Sequence, residues 1–311
     1  MRLVTVLLAS LVSILGAAEP VLVPAIDGEW WTIAGDPDLG KFTTAKQEPV
    51  DFSVWQAADG TWQAWSCVRN TGIGAGTRLF YRWQGAKLTD RDWEPMGIAM
   101  HTDPNFGEVA GMPQAPHVVK IGREYYMFYG GGSQICLAKS VDGKTFARQL
   151  MPNGKSALFS EGPGSGTRDV NVLRIGKLYH AYYTASIDKK GADYVRTSKD
   201  LLNWSPSKIV AGGGATGSGP YSAECPFVYY HKESKYYYLF RTQRYSNPPL
   251  TSVYRSKDPL NFGVDDDQYL IGTLPVAAPE LVEHEGQLYM AALLPTVKGL
   301  RIARLTWVAK R

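Results

Sequence analysis

From about residue 45 onward, the chain repeats one pattern of apolar and polar positions five times. Each copy has a short apolar run, a polar turn that usually contains glycine, and a second apolar or aromatic run, which is typical of a β-hairpin. The five copies are DFSVWQAADGTWQAWSCVR from Asp51, APHVVKIGREYYMFYGG from Ala115, RDVNVLRIGKLYHAYYTA from Arg168, ECPFVYYHKESKYYYLFRT from Glu224 and APELVEHEGQLYMAALLP from Ala278. Self-similarity at a nearly fixed period indicates a repeat architecture.

A third strand follows most hairpins and leads into a Ser-x-Asp turn and an aromatic residue. The serine and aspartate are suited to capping a turn by accepting hydrogen bonds from backbone N–H groups. We expect the aromatic residue to fill the space between neighbouring sheets. The three clear copies are Ser140, Asp142 and Phe146; Ser198, Asp200 and Trp204; and Ser256, Asp258 and Phe262. The last repeat is degenerate and reads GLRIARLTWV.

About four strands per unit, five units and few helical stretches predict an all-β protein that forms one five-bladed β-propeller over residues 19–311. We expect residues 19 to about 45 to form an irregular or edge segment. An insertion around RDWEPMGIAMHTDPNFGEVAGM lengthens the first repeat. Large all-β domains of this length commonly form a single unit.

Acidic residues stand at the heads of several first strands. The aligned head positions are Asp51, His117, Asp169, Glu224 and Glu280, at intervals of 52, 55 and 56 positions from His117 onward. In a propeller these heads converge at one end of the axis. An unpaired buried carboxylate costs several kcal/mol, so a group of them indicates acid–base chemistry. The alternative is that each acid pairs with a nearby arginine, such as Arg168, Arg241 or Arg244.

These residues resemble the motifs of the five-bladed propeller glycoside hydrolases of families 43, 32, 68, 62 and 117. The segment VDFSVWQAADGTWQAW matches their first acidic site, TRDVNV resembles the Arg-Asp-Pro motif of family 32, and AECPFV resembles its Glu-Cys-Pro motif. The resemblance implies that Asp51 is the base or nucleophile, that Asp169 stabilises the transition state, and that Glu224 is the general acid. Because Glu224 stands between Ala223 and CPFV, we expect an apolar setting that favours its protonated form.

The match to any one family is incomplete. Family 32 has Asn-Asp-Pro-Asn-Gly at the first site, whereas Val50 precedes Asp51 here and Phe52 follows it. Family 43 usually has Asp-Pro at this site, and Val170 replaces the proline after Arg-Asp. The absence of the asparagines favours an inverting hydrolase, and a retaining, family 32-like fructosidase-type hydrolase is the alternative. A non-catalytic carbohydrate-binding propeller also stays open.

Sugar sites need flat apolar faces and hydrogen-bonding groups near the acids. The candidate substrate-binding residues are Trp55, His117, Arg168, Tyr221, Arg244 and Glu280, although Arg168 is better suited to pairing with an acid. Tyr129 also lies near a predicted blade end, although aromatic residues at such positions more often belong to the core. A phosphorylase would need a cluster of basic residues, and the sequence alone reveals no convincing one.

The first 18 residues, MRLVTVLLASLVSILGAA, have one arginine, an apolar run and small residues, which is typical of a secretory signal peptide. We therefore expect a secreted or periplasmic protein with no membrane association after cleavage. The formal net charge is +4 with no basic stripe, which disfavours nucleic acid as a partner. We expect three free thiols, at Cys67, Cys136 and Cys225. No zinc-site spacing is present, and no cofactor is expected, although the resemblance allows a structural calcium ion in the central channel.

Overall fold

The five hairpins become the inner strand pairs of five antiparallel sheets, which are arranged as the blades of a β-propeller. The structure is a computed structural model that describes residues 20–74 and 76–310. The predicted signal peptide at residues 1–18 lies outside the described residues. Within the described ranges, no helix is both long enough and apolar enough to cross a bilayer. The predicted five-bladed propeller is confirmed.

The strands follow the repeats closely. The chain begins with β1 (Leu22–Gly35). Blade one contains β2 (Glu48–Gln56), β3 (Trp62–Arg69), β4 (Leu79–Gly85) and β5 (Glu94–Met100). Blade two contains β6 (Pro113–Ile121), β7 (Glu124–Gly131), β8 (Ile135–Ser140), β9 (Ala147–Arg148) and β10 (Ala157–Phe159). Blade three contains β11 (Arg168–Ile175), β12 (Leu178–Ile187), β13 (Lys190–Ser198) and β14 (Lys208–Gly212).

Blade four contains β15 (Glu224–His231), β16 (Tyr236–Arg244), β17 (Leu250–Ser256) and β18 (Leu270–Leu274). Blade five contains β19 (Glu280–His284), β20 (Gln287–Leu293) and β21 (Gly299–Ala309), and its fourth strand is β1. Short 3₁₀ turns lie at Gly40–Phe42, Pro104–Phe106 and Gly214–Thr216.

Blade five closes the ring by combining both ends of the described chain. Strand β1 pairs with β21 over a register that runs from Leu22 opposite Ala309 to Gly35 opposite Gly299. The last repeat is degenerate because its outer strand comes from the start of the chain. The edge segment expected from the sequence is therefore a 14-residue strand.

Aromatic residues after the Ser-x-Asp turns pack between neighbouring blades, as predicted. Phe146 of blade two lies edge-on to Trp55 and Trp65 of blade one, with ring centroids 5.9 and 5.3 Å apart. Trp204 of blade three lies edge-on to Phe128 of blade two, and Phe262 of blade four lies edge-on to Tyr182 of blade three. The turns are capped as expected: in the first, Asp142 accepts hydrogen bonds from the backbone N–H groups of Lys144 and Thr145.

Side chains in the central channel join consecutive blades. The hydroxyl of Ser53 accepts a hydrogen bond from Val118 N in blade two, and Asn171 accepts one from Val228 N in blade four. Glu280 of blade five accepts one from Val54 N in blade one. Each acceptor stands at the same position of its inner strand and receives the N–H of the next blade. At this position of the inner strand, a polar side chain bridges three of the five blade junctions.

We predict that Glu280→Ala lowers the free energy of unfolding by about 1–3 kcal/mol, because it leaves the buried N–H of Val54 without its acceptor. Glu280→Gln should cost less, since its amide oxygen can still accept that hydrogen bond. Urea unfolding measures both, with Glu283→Ala, which changes an exposed residue on the same strand, as the matched control. Equal stabilities for Glu280→Ala and the control would contradict the bridging role.

Candidate active site

A residue with positive φ stands at or just before the head of each inner strand and sets the direction of the site residues. Asp51, Ala115, Asp169, Cys225 and Ala278 all have positive φ, between 38° and 55°. In blades one to four, the register between the first two strands shifts at this point. Side chains rarely adopt this left-handed conformation, which costs roughly 1–2 kcal/mol. The positive-φ residue is therefore shared by the five strand heads, and it forms a bulge in the first four blades.

The positions of the positive-φ residues show that the five head residues aligned from the sequence are not all structurally equivalent. Asp51 and Asp169 are equivalent, as predicted, but Glu224 stands one residue before its bulge. His117 and Glu280 stand two residues after theirs. Since side chains two apart on a strand share a face, these two residues point into the channel at the next level along the strand.

Asp51 is held by two hydrogen-bond donors from blade four. Its Oδ1 accepts from the hydroxyl of Tyr245 at 2.7 Å and lies 3.2 Å from Sγ of Cys225. Burial, followed by the charge of Asp51, raises the pKa of Tyr245 well above its usual range, so the phenol keeps its proton and donates. These contacts orient the Asp51 carboxyl at the edge of a pocket.

Asp169 lines the channel cavity next to the pocket. Its carboxyl oxygen, a carboxyl oxygen of Asp51 and the sulfur of Cys225 all lie within 4.8 Å of one another. Burial is the largest cause that raises the pKa of Asp169 well above its usual range, and the charges of Asp51 and Glu224 add to it. Two carboxyl groups so close together in a buried site do not readily ionise at the same time. Asp169 therefore favours its protonated form.

Glu224 is paired with Arg168. Nη2 of Arg168 contacts Oε1 of Glu224, and its Nε lies 3.4 Å from Oε2 of Glu224 and 3.6 Å from Oδ2 of Asp169. Burial alone would lower the pKa of Arg168, but the charges of Glu224 and Asp169 outweigh it and raise the pKa. The prediction of an apolar setting around Glu224 is wrong, because a guanidinium lies against its carboxyl group. Only the tertiary structure brings these two groups together.

The pocket above these acids has a volume of about 440 Å³ and contains three arginines. The sequence revealed no basic cluster because the three are 9 to 99 positions apart and only folding brings them together. Residues that sequence reasoning missed include Tyr245, Gln243 and Gln114. Gln114 stands one residue before the bulge of blade two, as Glu224 does in blade four, but its side chain is an amide and not an acid. The lining consists of Asp51, Arg69, Arg78, Gln114, Arg168, Tyr221, Glu224, Gln243 and Tyr245.

Four of the six candidate substrate-binding residues do not line this pocket. Trp55 is buried between blades, and its indole N–H donates to the carbonyl oxygen of Gly143 at 2.8 Å. Arg244 is exposed, and its guanidinium donates to the carbonyl of Pro248. His117 and Glu280 line the channel, with Nδ1 of His117 3.6 Å from Oε1 of Glu280.

The other two candidates do line the pocket. Arg168 forms the wall beside Glu224, and Tyr221, which is 72% exposed, lies at the rim. Tyr129 is buried elsewhere, where its hydroxyl donates to Glu108 at 2.6 Å.

The oxygen atoms that line the channel do not form a suitable set of ligands for a calcium ion. Calcium takes six to eight oxygen ligands, whereas Ser53, Asn171 and Glu280 already accept backbone hydrogen bonds from the next blade. The other two equivalent positions are occupied by His117 and Phe227. The channel cavity has a volume of about 30 Å³, which leaves little room for an ion with water ligands.

The three cysteines carry free thiols. Cys67 is buried in blade one, and its Sγ lies 3.2 Å from the carbonyl oxygen of Pro113 in blade two. Burial raises the pKa of Cys67 and of Cys136 to about 12. Burial and then the charge of Asp51 raise the pKa of Cys225 well above its usual range. Cys225 is therefore a neutral neighbour of Asp51.

Another buried carboxyl group, Asp193 on β13, supports the segment that leads to Glu224. Oδ2 of Asp193 lies 3.6 Å from Nε of Arg241, and Arg241 donates to the carbonyl oxygen of Ser222 at 2.9 Å. Among the described residues, neither oxygen of Asp193 accepts a hydrogen bond. Complete burial raises the pKa of Asp193 to about 7, although the charge of Arg241 opposes this shift. Arg241 therefore pairs with Asp193 and not with the three acids at the strand heads.

Comparison with known proteins identifies the fold and not a family. No protein-family model matches the chain, and no curated protein matches it. A thermostable family-43 glycoside hydrolase is similar over 86% of this chain and 91% of its own, with 17% identity and a TM-score of 0.60. An endo-1,4-β-xylanase from Bacteroides thetaiotaomicron is similar over 85% and 95%, with 15% identity and a TM-score of 0.62.

The Bombyx mori family-32 β-fructofuranosidase is similar over 88% of this chain, with 16% identity and a TM-score of 0.59. This chain spans 60% of the length of that enzyme. The resemblance to five-bladed propeller glycoside hydrolases that the sequence motifs indicated is confirmed at the level of the fold.

We predict that wild-type protein loses stability relative to Asp193→Asn as the pH rises from about 4 to about 7. An unfolded aspartate ionises near pH 4, whereas folded Asp193 stays protonated until about 7. Between these two pH values the folded state holds a proton on Asp193 that the unfolded state has lost. The stabilisation that this proton provides, on the order of 2–4 kcal/mol, disappears as the pH increases.

Urea unfolding of both proteins at a series of pH values between 4 and 8 tests this prediction. Asp188→Asn, in an exposed turn of the same blade, is the control and should follow the wild type. A difference between wild type and Asp193→Asn that is constant over the whole pH range would show that Asp193 is ionised in the folded protein.

Proposed function

We propose that this chain is a glycoside hydrolase, secreted or periplasmic, that cleaves the glycosidic bonds of a plant or algal oligo- or polysaccharide. One observation carries the proposal: acids from three different blades meet at one end of the channel. Asp51 and Glu224 line the same pocket, and Asp169 has a carboxyl oxygen within 4.8 Å of one of Asp51. Glycosidic cleavage requires two carboxyl groups that flank the scissile bond.

In this proposal Glu224 is the general acid and donates a proton to the leaving oxygen. It must first loosen its contact with Arg168. Arg168 has other partners available, since Nη1 donates to the carbonyl oxygen of Gly166 at 2.7 Å and Nε lies near Asp169. A sugar hydroxyl or the leaving oxygen that enters between the two side chains would release the Glu224 carboxylate from Arg168. Glu224 can then take up a proton and pass it to the leaving oxygen.

Asp51 is the proposed base, and Asp169 supports the positive charge that develops on the sugar ring. Among the described residues, the side-chain hydrogen bonds to Asp51 all go to Oδ1, which leaves Oδ2 to accept a proton from water. Asp169 favours its protonated form in the free protein, so it stabilises the positive ring only after it ionises. In this proposal its proton passes to Glu224 as the contact with Arg168 loosens. The mechanism uses only these side chains and water, and no cofactor takes part.

We propose inversion at the anomeric carbon. The segment around Asp51 lacks the asparagines that accompany the nucleophile of family 32, which supports a role in activating water over direct attack. Retention, as in a fructosidase-type hydrolase, is the alternative, and a non-catalytic sugar-binding propeller is the second one. The two experiments below separate these three possibilities.

Glu224→Gln should reduce turnover of a natural glycan by about 10²–10⁴-fold, because the amide keeps the shape but has no proton to donate in the transition state. The loss should be smaller for aryl glycosides, whose leaving groups need little protonation. Initial rates on both substrate types, with calorimetric sugar binding as a parallel measurement, test this. Wild-type protein that binds a glycan without cleaving it would favour the non-catalytic propeller, and an unchanged rate in the variant would remove Glu224 from the mechanism.

The first product released should have the inverted anomeric configuration. If Asp51 activates a water molecule, that water attacks the face of the ring opposite the leaving group in a single displacement. Proton NMR of the anomeric signal during the first minutes of hydrolysis distinguishes the two anomers before mutarotation. A retained configuration would instead assign Asp51 as the nucleophile that forms a covalent intermediate.

A further inference from the structure

Among the described residues, two of the three arginines in the pocket have a carboxylate partner, and the third has none. Arg168 pairs with Glu224. Arg69 pairs with Glu48, with Nε 2.7 Å from Oε2. Over residues 20–74 and 76–310, no carboxylate forms a salt bridge with Arg78. Arg78 is therefore the cation of the pocket whose charge no neighbour pairs directly.

The polar contact of Arg78 is neutral and comes from blade two. With the amide of Gln114 in the orientation that satisfies both of its ends, its oxygen accepts from Nη1 of Arg78 at 3.1 Å and its nitrogen donates to the carbonyl of Gly132 at 2.9 Å. The backbone N–H of Arg78 also donates to the carbonyl of Gly111 at 2.9 Å. These bonds fix Arg78 immediately before β4, where it lines the pocket.

This guanidinium is partly buried, and its position suits a ligand. A desolvated charge without a counter-ion is costly, whereas a planar guanidinium binds carboxylate, sulfate or phosphate oxygens through two parallel hydrogen bonds. Arg69 lies on the same pocket and places its guanidinium 5.6 Å from the ring centre of Tyr245, the residue that donates to Asp51. The cationic wall is thus adjacent to the proposed catalytic base.

We propose that Arg78, positioned by Gln114, binds an oxyanion of the substrate at the cleavage site. This assignment rests on the proposed function, since it places the anion beside the bond that Asp51 and Glu224 flank. The oxyanion is either a carboxylate or sulfate carried by the sugar, or free inorganic phosphate. In the second case a phosphate oxygen forms the new bond to the anomeric carbon as the glycosidic bond breaks. The leaving oxygen then takes the proton from Glu224, and the product is a sugar 1-phosphate.

Calorimetric titration of the full-length protein tests the binding site directly. The probes are D-glucuronate, D-galacturonate, galactose 6-sulfate and inorganic phosphate, with D-glucose and D-galactose as neutral counterparts. At least one oxyanion should bind about 10–100-fold more tightly than its neutral counterpart, as expected for hydrogen bonds to a charged group. Arg78→Gln should abolish this preference, Arg78→Lys should keep part of it, and Arg123→Ala, an exposed arginine on blade two, should keep all of it.

Circular dichroism of each variant shows whether it folds, and Arg78→Lys provides the test if Arg78→Gln does not fold. The proposal is overturned if no oxyanion probe binds more tightly than its neutral counterpart, or if folded Arg78→Gln keeps the preference. Either result leaves the hydrolase function in place wherever Glu224→Gln still loses turnover.

Kinetics identify the source of the oxyanion. If the sugar carries the oxyanion, nitrophenyl glucuronides or galacturonides are cleaved at least tenfold faster than the matching glucosides or galactosides. Arg78→Gln should lose this preference. Cleavage of neutral glycosides that requires phosphate and yields a sugar 1-phosphate assigns the oxyanion to phosphate. Arg78-dependent oxyanion binding without cleavage of any glycoside would support this site while removing the proposed hydrolase function.

Discussion

The pairing of β1 with β21 is the interaction on which the rest of the structure depends. It supplies the outer strand of blade five from the beginning of the chain and closes the ring through backbone hydrogen bonds. Once the ring is closed, the five inner strands lie around one axis. Residues far apart in sequence, such as Asp51 and Cys225, then come into contact.

Closure alone does not aim the side chains, and the bulges at the strand heads do so. An extra residue with positive φ turns Asp51 and Asp169 toward the end of the axis, while residues two positions later face the channel. The same strands therefore serve two purposes. Their heads present acids to the pocket, and Ser53, Asn171 and Glu280 hold consecutive blades together below it.

Crowding of acids around the axis requires compensation, and the protein provides it in three ways. Arg168 neutralises Glu224 by direct pairing. Asp169 avoids charge by favouring its protonated form in a fully buried setting. Asp51 receives hydrogen bonds from neutral donors, the Tyr245 hydroxyl and the Cys225 thiol. Buried charges are stable only when paired or hydrogen-bonded, so these contacts explain how three acids coexist within one small region.

The sequence by itself determined the blade number, the hairpins, the capped turns and the three acids, because these follow from local alternation of residues and from repetition at a fixed period. Only the tertiary structure decided what surrounds each acid. The guanidinium beside Glu224, the phenol beside Asp51 and the cluster formed by Arg69, Arg78 and Arg168 come from different blades. Strand periodicity also could not reveal the bulges, each of which shifts the register by one residue. That shift moved His117 and Glu280 from the expected sugar site to the channel, and close packing between blades placed Trp55 in the core.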